Sequence, residues 1–156
     1  MKFLLFFLPI ILGAQILQVG DLISPVSLES QHEKRYLIKE EQYWIITWDK
    51  ETTREANTFI EKYPDILEKY QAVMIVDVSQ VPSGIFSLFV KPRMQYYAHP
   101  ILLSFDTAYN LTLPYQEGKL TLLSLKNKKI RAIDFIDDAV MLKQFLPSKR
   151  LEKPFK

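Results

Sequence analysis

The stretch Tyr43-Trp44-Ile45-Ile46-Thr47-Trp48 decides how the rest of this chain is interpreted. Every residue in it is aromatic or β-branched, and none carries a charge. Such residues favour extended backbone, and an unbroken apolar run is typical of a strand covered on both faces. Residues 43–48 are therefore predicted to form the central strand of a buried sheet.

A helix is predicted to follow this strand. Thr52 or Thr53 can cap its first turn, with Glu55 shortly after, and a roughly helical apolar stripe continues to Leu67. Pro64 interrupts that stripe, which predicts a kink or a division into two helices. A second buried strand is predicted over residues 72–78.

Beyond residue 80 the pattern predicts one short helix, three strands and a final helix. The short helix begins at Pro82 and is expected to stop near Lys91 and Pro92. The strands are predicted at residues 101–105, 120–125 and 130–136, the last two joined by a turn at Lys126-Asn127-Lys128. The final helix is capped by Asp137 and Asp138 and ends at Pro147.

On the N-terminal side the sequence predicts a β-hairpin. Residues 26–28 alternate as one strand, Gln31-His32-Glu33 forms the polar turn, and residues 35–38 return. Because helices separate the central strands, part of the sheet should be parallel, while the hairpins add antiparallel strands. The expected architecture is an α/β sandwich of three layers, with a mixed central sheet, an N-terminal hairpin and flanking helices.

The N-terminus has the pattern of a secretory signal peptide. Lys2 precedes an apolar run over residues 3–12, and Gly13-Ala14 supplies small residues. As a helix that run spans about 15 Å, half of a roughly 30 Å hydrocarbon core, so it suits a signal better than a membrane span. We expect cleavage after Ala14, a periplasmic or secreted domain over residues 15–147, no membrane span afterwards, and a basic flexible tail over residues 148–156.

The composition excludes several classes of function. Lys and Arg number 20 against 18 Asp and Glu, so no strong positive field favours nucleic acid. Four glycines, none clustered, argue against a phosphate loop or a dinucleotide site, so no cofactor is expected. The two histidines, His32 and His99, lack the spacing of a metal site. With no cysteine, an exported domain must be stabilised by its core alone.

The order of elements resembles the thioredoxin-like superfamily, in the form found in exported peroxiredoxins and thiol-disulfide oxidoreductases. Three loose motifs carry this resemblance: Val19-Gly20-Asp21 leading to the strand at residues 26–29, the strand ending in Trp48, and the stretch Leu125-Lys126-Asn127-Lys128-Lys129-Ile130 before a terminal helix. The resemblance covers roughly residues 19–146. It implies a thioredoxin-like fold and places Asp49 and Thr52 where the family has its two active-site cysteines.

The same resemblance implies a cis-proline before the strand that faces the active site. Pro100, which precedes the strand at residues 101–105, is the favoured candidate because a cis X-Pro bond suits a tight turn. In the alternative register that strand is residues 121–125, Leu120 replaces the proline, and residues 101–105 are an inserted strand.

The absence of the family's active-site cysteines determines the expected function. Thiol exchange and peroxide reduction need a thiolate, so thiol oxidoreductase and peroxidase activities are excluded, and no catalytic residue is assigned. The mixture of cations and aromatics at Arg93, Tyr96 and Tyr97 predicts a contact surface, although the tyrosines could instead pack on the core. We expect a non-catalytic module that binds an envelope protein or a small ligand. The alternative is a hydrolytic or acid–base enzyme that uses the carboxylates around Asp49.

Overall fold

The computed structural model describes residues 15–39 and 41–146. The expected signal segment and the basic tail lie outside these residues. Seven strands form one sheet in the order β2-β1-β5-β4-β3-β6-β7. The strands are β1 (Val26–Ser30), β2 (Arg35–Ile38), β3 (Tyr43–Thr47), β4 (Ala72–Asp77), β5 (Leu102–Ser104), β6 (Leu120–Lys126) and β7 (Lys129–Ile136).

The centre of the sheet is parallel and its margins are antiparallel. β3 pairs with β4, and β4 with β5, in parallel, whereas β6 runs antiparallel to β3. All five residues of β3 are buried, which confirms a central strand covered on both faces. The two predicted hairpins are also present, as β1–β2 and β6–β7. Asn127 and Lys128 turn the second one with positive φ angles of 52° and 62°.

The long helix α1 and the short α6 pack on one face of the sheet. The helices are α1 (Lys50–Lys62), α2 (Ile66–Lys69), α3 (Ser83–Ile85), a π-helical turn (Phe86–Val90), α4 (Lys91–Met94), α5 (Thr107–Asn110), a 3-10 turn (Ala139–Met141) and α6 (Leu142–Phe145). Phe59 and Ile60 of α1 pack with Leu142 of α6 against Ile45 and Met74 of the sheet. Within the described residues, no helix has the length and apolar character needed to cross a membrane.

The second face of the sheet is covered mainly by irregular chain. Trp44 and Ile46 of β3 pack there with Leu123 and Leu113, and Leu17 adds to the cluster. Leu17 also donates its backbone N–H to the carbonyl of Thr112 at 2.8 Å, which joins the N-terminal segment to the chain after α5. α5 lies between β5 and β6, a stretch for which the sequence predicted no element.

Two prolines had predicted effects on the helices. Pro64 lies between α1 and α2, which confirms the predicted division into two. The expectation that the third helix stops near Pro92 is wrong, because the helical segment continues to Met94. Just before this proline, the N–H of Lys91 bonds to the carbonyl of Phe86, five residues back. The ordinary i to i−4 ladder is thus already replaced by a wider turn, in which a proline is tolerated.

Candidate functional site

A cleft of about 580 Å³ opens at the carboxyl ends of β3 and β4. In open α/β sheets this edge is where binding crevices form, because loops after neighbouring parallel strands diverge there. The cleft is lined by the chain after β3, the chain after β4 and the helical segment of residues 83–94. Its lining includes Trp48, Asp49, Lys50, Thr53, Arg54, Asn57, Asp77, Val78, Val81, Phe89, Val90, Arg93 and Tyr97.

Asp49 and Thr52, which the resemblance implied to stand at the family's redox positions, form a capping box at the start of α1. The Asp49 carboxylate accepts the backbone N–H of Thr52 at 2.8 Å and its hydroxyl at 3.1 Å. The helix cap is therefore Asp49, and the expectation of a cap at Thr52 or Thr53 is wrong. Thr53 is buried, and its Oγ1 lies 2.8 Å from Oγ1 of Thr47 in β3. The Asp49–Thr52 pair therefore stabilises the first turn of α1.

The contacts of Trp48 identify the strand that lies beside the start of α1. Its indole Nε1 donates to Oγ1 of Thr121 at 3.0 Å, and its ring meets that of Tyr115 edge-on with centroids 5.3 Å apart. Thr121 belongs to β6, which pairs directly with β3. The strand beside the site is therefore β6, which begins at Leu120.

The assignment of Pro100 as a cis-proline before that strand is therefore wrong. Pro100 precedes β5, which pairs with β4 and β1 and is separated from β3 by β4. Among the described residues there is no cis peptide bond, so the bond from His99 to Pro100 is trans. The arrangement matches the alternative register, in which β5 is an inserted strand.

Asp77, at the end of β4, is the second acid in the cleft. Its Oδ1 accepts the backbone N–H of Ser79 at 2.9 Å and the Ser79 hydroxyl at 2.7 Å. The amide nitrogen of Asn110 donates to the same oxygen at 2.7 Å, and the Asn110 amide oxygen accepts from the hydroxyl of Ser104. This network ties α5 to the ends of β4 and β5, and it uses Asp77 as an internal acceptor.

The three residues of the predicted contact surface divide between two cavities. Arg93 is exposed and Tyr97 is half-buried, and both line the cleft. Tyr97 also packs against the core. Tyr96, with 88% of its surface exposed, lines a neighbouring cavity of about 880 Å³ together with His99 and Pro100. Arg93 and Tyr97 thus lie at the same site as Asp49, an association that spacing in the sequence did not reveal.

Gln31 holds the segment that carries these residues, and sequence reasoning missed it. Its side chain is fully buried. Nε2 donates to the carbonyl of His99 at 2.8 Å, with longer contacts to the carbonyls of Tyr97 and Met94 at 3.3 and 3.4 Å. Oε1 accepts the backbone N–H of Ile101 at 2.8 Å. A glutamine in a polar hairpin turn gives no signal that it bonds to chain some 70 residues away.

His99 and Asn57 form the polar contact between the cleft and the neighbouring cavity. His99 lines the larger cavity and Asn57 lines the cleft, and His99 Nε2 lies 2.7 Å from the Asn57 amide oxygen. Burial lowers the pKa of His99 to about 4, so the ring is neutral at neutral pH and donates through Nε2. Within residues 15–39 and 41–146, no group of three His, Asp or Glu side chains is arranged to hold a metal ion.

Comparison with known proteins supports the fold and no specific activity. No protein-family model matches the chain, and no curated protein matches its sequence. Solved structures do resemble it. A peroxidoxin, BcpB, from Mycobacterium tuberculosis is 12% identical with a TM-score of 0.56, over 87% of this chain and 98% of that one.

Two further structures show the same likeness. The thioredoxin domain of a thiol-disulfide oxidoreductase from Bacteroides vulgatus is 10% identical with a TM-score of 0.53, over 83% of this chain and 99% of that one. A conserved protein of unknown function from Bacteroides fragilis is 12% identical with a TM-score of 0.54, over 83% of this chain and 98% of that one. The chain therefore has a thioredoxin-like α/β fold, and it contains no cysteine, the residue on which thiol–disulfide chemistry depends.

Proposed function

We propose that this protein is a non-catalytic periplasmic or secreted module that binds a protein or a small ligand in the cleft beside Asp49. One observation carries the proposal. At the carboxyl ends of β3 and β4 lies an open cleft whose two acids, Asp49 and Asp77, already bond to the chain itself. An open cleft at this edge of an α/β sheet supports a binding role, because such edges are where these folds place binding residues.

The state of the carboxylates favours binding over the hydrolytic or acid–base alternative. A general acid or base must be able to exchange a proton with the substrate at hydrogen-bond distance. Asp49 is exposed, and its carboxylate accepts two bonds from Thr52, so proton transfer there would compete with the helix cap. Each histidine is also engaged by the chain: His99 bonds to Asn57, and His32 Nε2 lies 3.0 Å from the carbonyl of Tyr97.

Site-specific photo-cross-linking tests the proposal. We would place p-benzoylphenylalanine at Phe89, which lines the cleft, and at Leu37, a control on the edge strand β2, with 56% of the side-chain surface exposed at each position. We expect ultraviolet light to yield a discrete adduct in envelope extracts at Phe89 and not at Leu37. Equal labelling at both positions, or none at Phe89, would contradict the proposal.

Two further measurements test the predicted export and the alternative of a carboxylate-based enzyme. Mass spectrometry of the mature protein should find a chain that begins at Gln15 or within a few residues of it, as export with signal cleavage requires. A soluble mature protein that keeps Met1 would contradict that. Hydrolysis of a model ester or peptide that is lost in Asp49→Asn would favour the carboxylate-based enzyme instead.

A further inference from the structure

In the cleft the acidic side chains have hydrogen-bond partners among the described residues, whereas two of the basic side chains do not. The acids Asp49 and Asp77 are both engaged by internal donors. Of the cations, Arg54 is paired with Glu51. Lys50 and Arg93 are exposed, and neither makes an ion pair or a side-chain hydrogen bond within the described part of the chain. Two cations are therefore free to meet a negatively charged group.

Apolar side chains line the cleft wall beside these cations. Phe89 lines the cleft with 56% of its side chain exposed, and Val81 and Val90 lie in the same wall. Ile85 and Leu88 of the same helical segment are also exposed, and Ile85 stands four residues, about one turn, before Phe89. Exposed apolar surface that continues from a cleft is typical of a protein interaction site, whereas small-molecule sites enclose most of the ligand.

The distance between Phe89 and Arg93 suits a partner with an extended backbone. Phe89, in the π-helical turn, and Arg93, in α4, are four residues apart and both line the cleft, so they stand about one helical turn apart, roughly 5.4 Å along the axis. In an extended peptide, side chains at positions i and i+2 share a face and are about 6.6–7 Å apart. An extended segment with a large apolar residue and an acid two positions away can therefore contact both groups at once.

The backbone that follows Arg93 is held in place before any partner binds, and the helical segment itself is tied at Lys91. Gln31 bonds to four backbone groups between Met94 and Ile101, and Lys91 bonds to Glu33 at 2.6 Å. A surface held in this way loses little conformational entropy when a partner docks. We propose that the cleft recognises an extended peptide of a partner protein that carries a large apolar side chain and, two residues away, Asp or Glu. This inference rests on the proposed binding role and specifies its partner.

Selection from a random heptapeptide library on the immobilised full chain tests this inference. We expect enriched sequences in which Phe, Trp, Leu or Tyr stands two positions from Asp or Glu. A synthetic peptide of the enriched sequence should bind about tenfold more weakly when its acid is replaced by Lys, as loss and reversal of a charge contact imply. No enrichment, or enrichment of apolar residues without the acid, would overturn the inference.

Charge-reversal variants provide the matched control. Arg93→Glu should reverse the preference between the acidic and the Lys-substituted peptide, and Lys50→Glu should weaken it. Lys69→Glu changes the net charge equally on α2, away from the cleft, and should leave the preference unchanged. If both cleft variants still prefer the acidic peptide, Lys50 and Arg93 do not bind its acid and the inference is overturned. If Phe89 cross-links to a partner while the library shows no acidic preference, the binding role stands and only this partner class fails.

Discussion

Replacing Gln31 by methionine should destabilise the protein far more than its place in a hairpin turn suggests. Methionine has a similar length and shape but neither donates nor accepts a strong hydrogen bond. The change strands the buried backbone N–H of Ile101 and removes the donor to the carbonyl of His99. The contacts to Tyr97 and Met94 are lost as well.

The magnitude follows from these contacts. Leaving the N–H of Ile101 buried and unpaired should cost about 1–3 kcal/mol, and the lost bond to His99 about 1 kcal/mol more. The contacts of 3.3 and 3.4 Å are long and should add little. We therefore expect a loss of about 3 kcal/mol in the free energy of unfolding. For a domain of this size that corresponds to a fall in Tm of about 6–12 °C.

Urea titration followed by far-UV circular dichroism measures the effect. The matched control is Gln95→Met, because exposed Gln95 makes one bond, of 3.2 Å, to the backbone of Gln31. The control should change the free energy of unfolding by less than about 0.5 kcal/mol. If Gln31→Met unfolds within that margin of the unmodified protein, with the same m-value, Gln31 does not hold the segment and the reasoning fails.

Three further predictions concern the site and its surroundings. Asp49→Ala should lower the free energy of unfolding by about 1 kcal/mol, whereas Asp49→Asn should keep most of it because asparagine also caps helices; equal losses in urea titration would contradict the capping role. Because burial lowers the pKa of His99 from 6.5 to about 4, the unfolded chain binds a proton between these values that the folded chain does not. The free energy of unfolding should therefore fall as the pH drops from 6.5 to about 4, and His99→Gln should flatten that slope in denaturant titrations at several pH values; a slope that this variant leaves unchanged would contradict the account. Tyr96→Ala should leave Tm within about 2 °C because the ring is almost fully exposed, whereas Tyr97→Ala should lower it further; calorimetry showing the reverse would reject our account of the two rings.

Much of the fold was predictable because the signals involved are local. The apolar run of β3 could be recognised since a strand buried on both faces needs apolar residues at every position. Pro64 and the turn at Asn127 were located correctly because backbone restrictions act on neighbouring residues. Pro92 misled the prediction because the wider turn that tolerates it is formed by the residues before it.

The site was less predictable because it is formed by residues and strands that are far apart in the sequence. Pro100 and Leu120 each precede a short apolar strand, so no local feature says which strand lies beside β3. That choice is decided by packing over the whole sheet, which places β6 there and β5 beyond β4. The same packing brings Arg93 to the cleft of Asp49, and Gln31 to the backbone around His99.

By itself the sequence determined the kind of protein: an α/β domain without cysteine, with nearly balanced charge and no thiol chemistry. These properties follow from composition and from periodicities that span a few residues. The tertiary structure alone decided that Asp49 and Thr52 cap a helix and that β6 pairs with β3. It also decided that Lys50 and Arg93, which have no ion-pair partner among the described residues, line one cleft with Phe89. Such associations depend on which distant surfaces pack together, since packing optimises the burial of the whole core and not of any one segment.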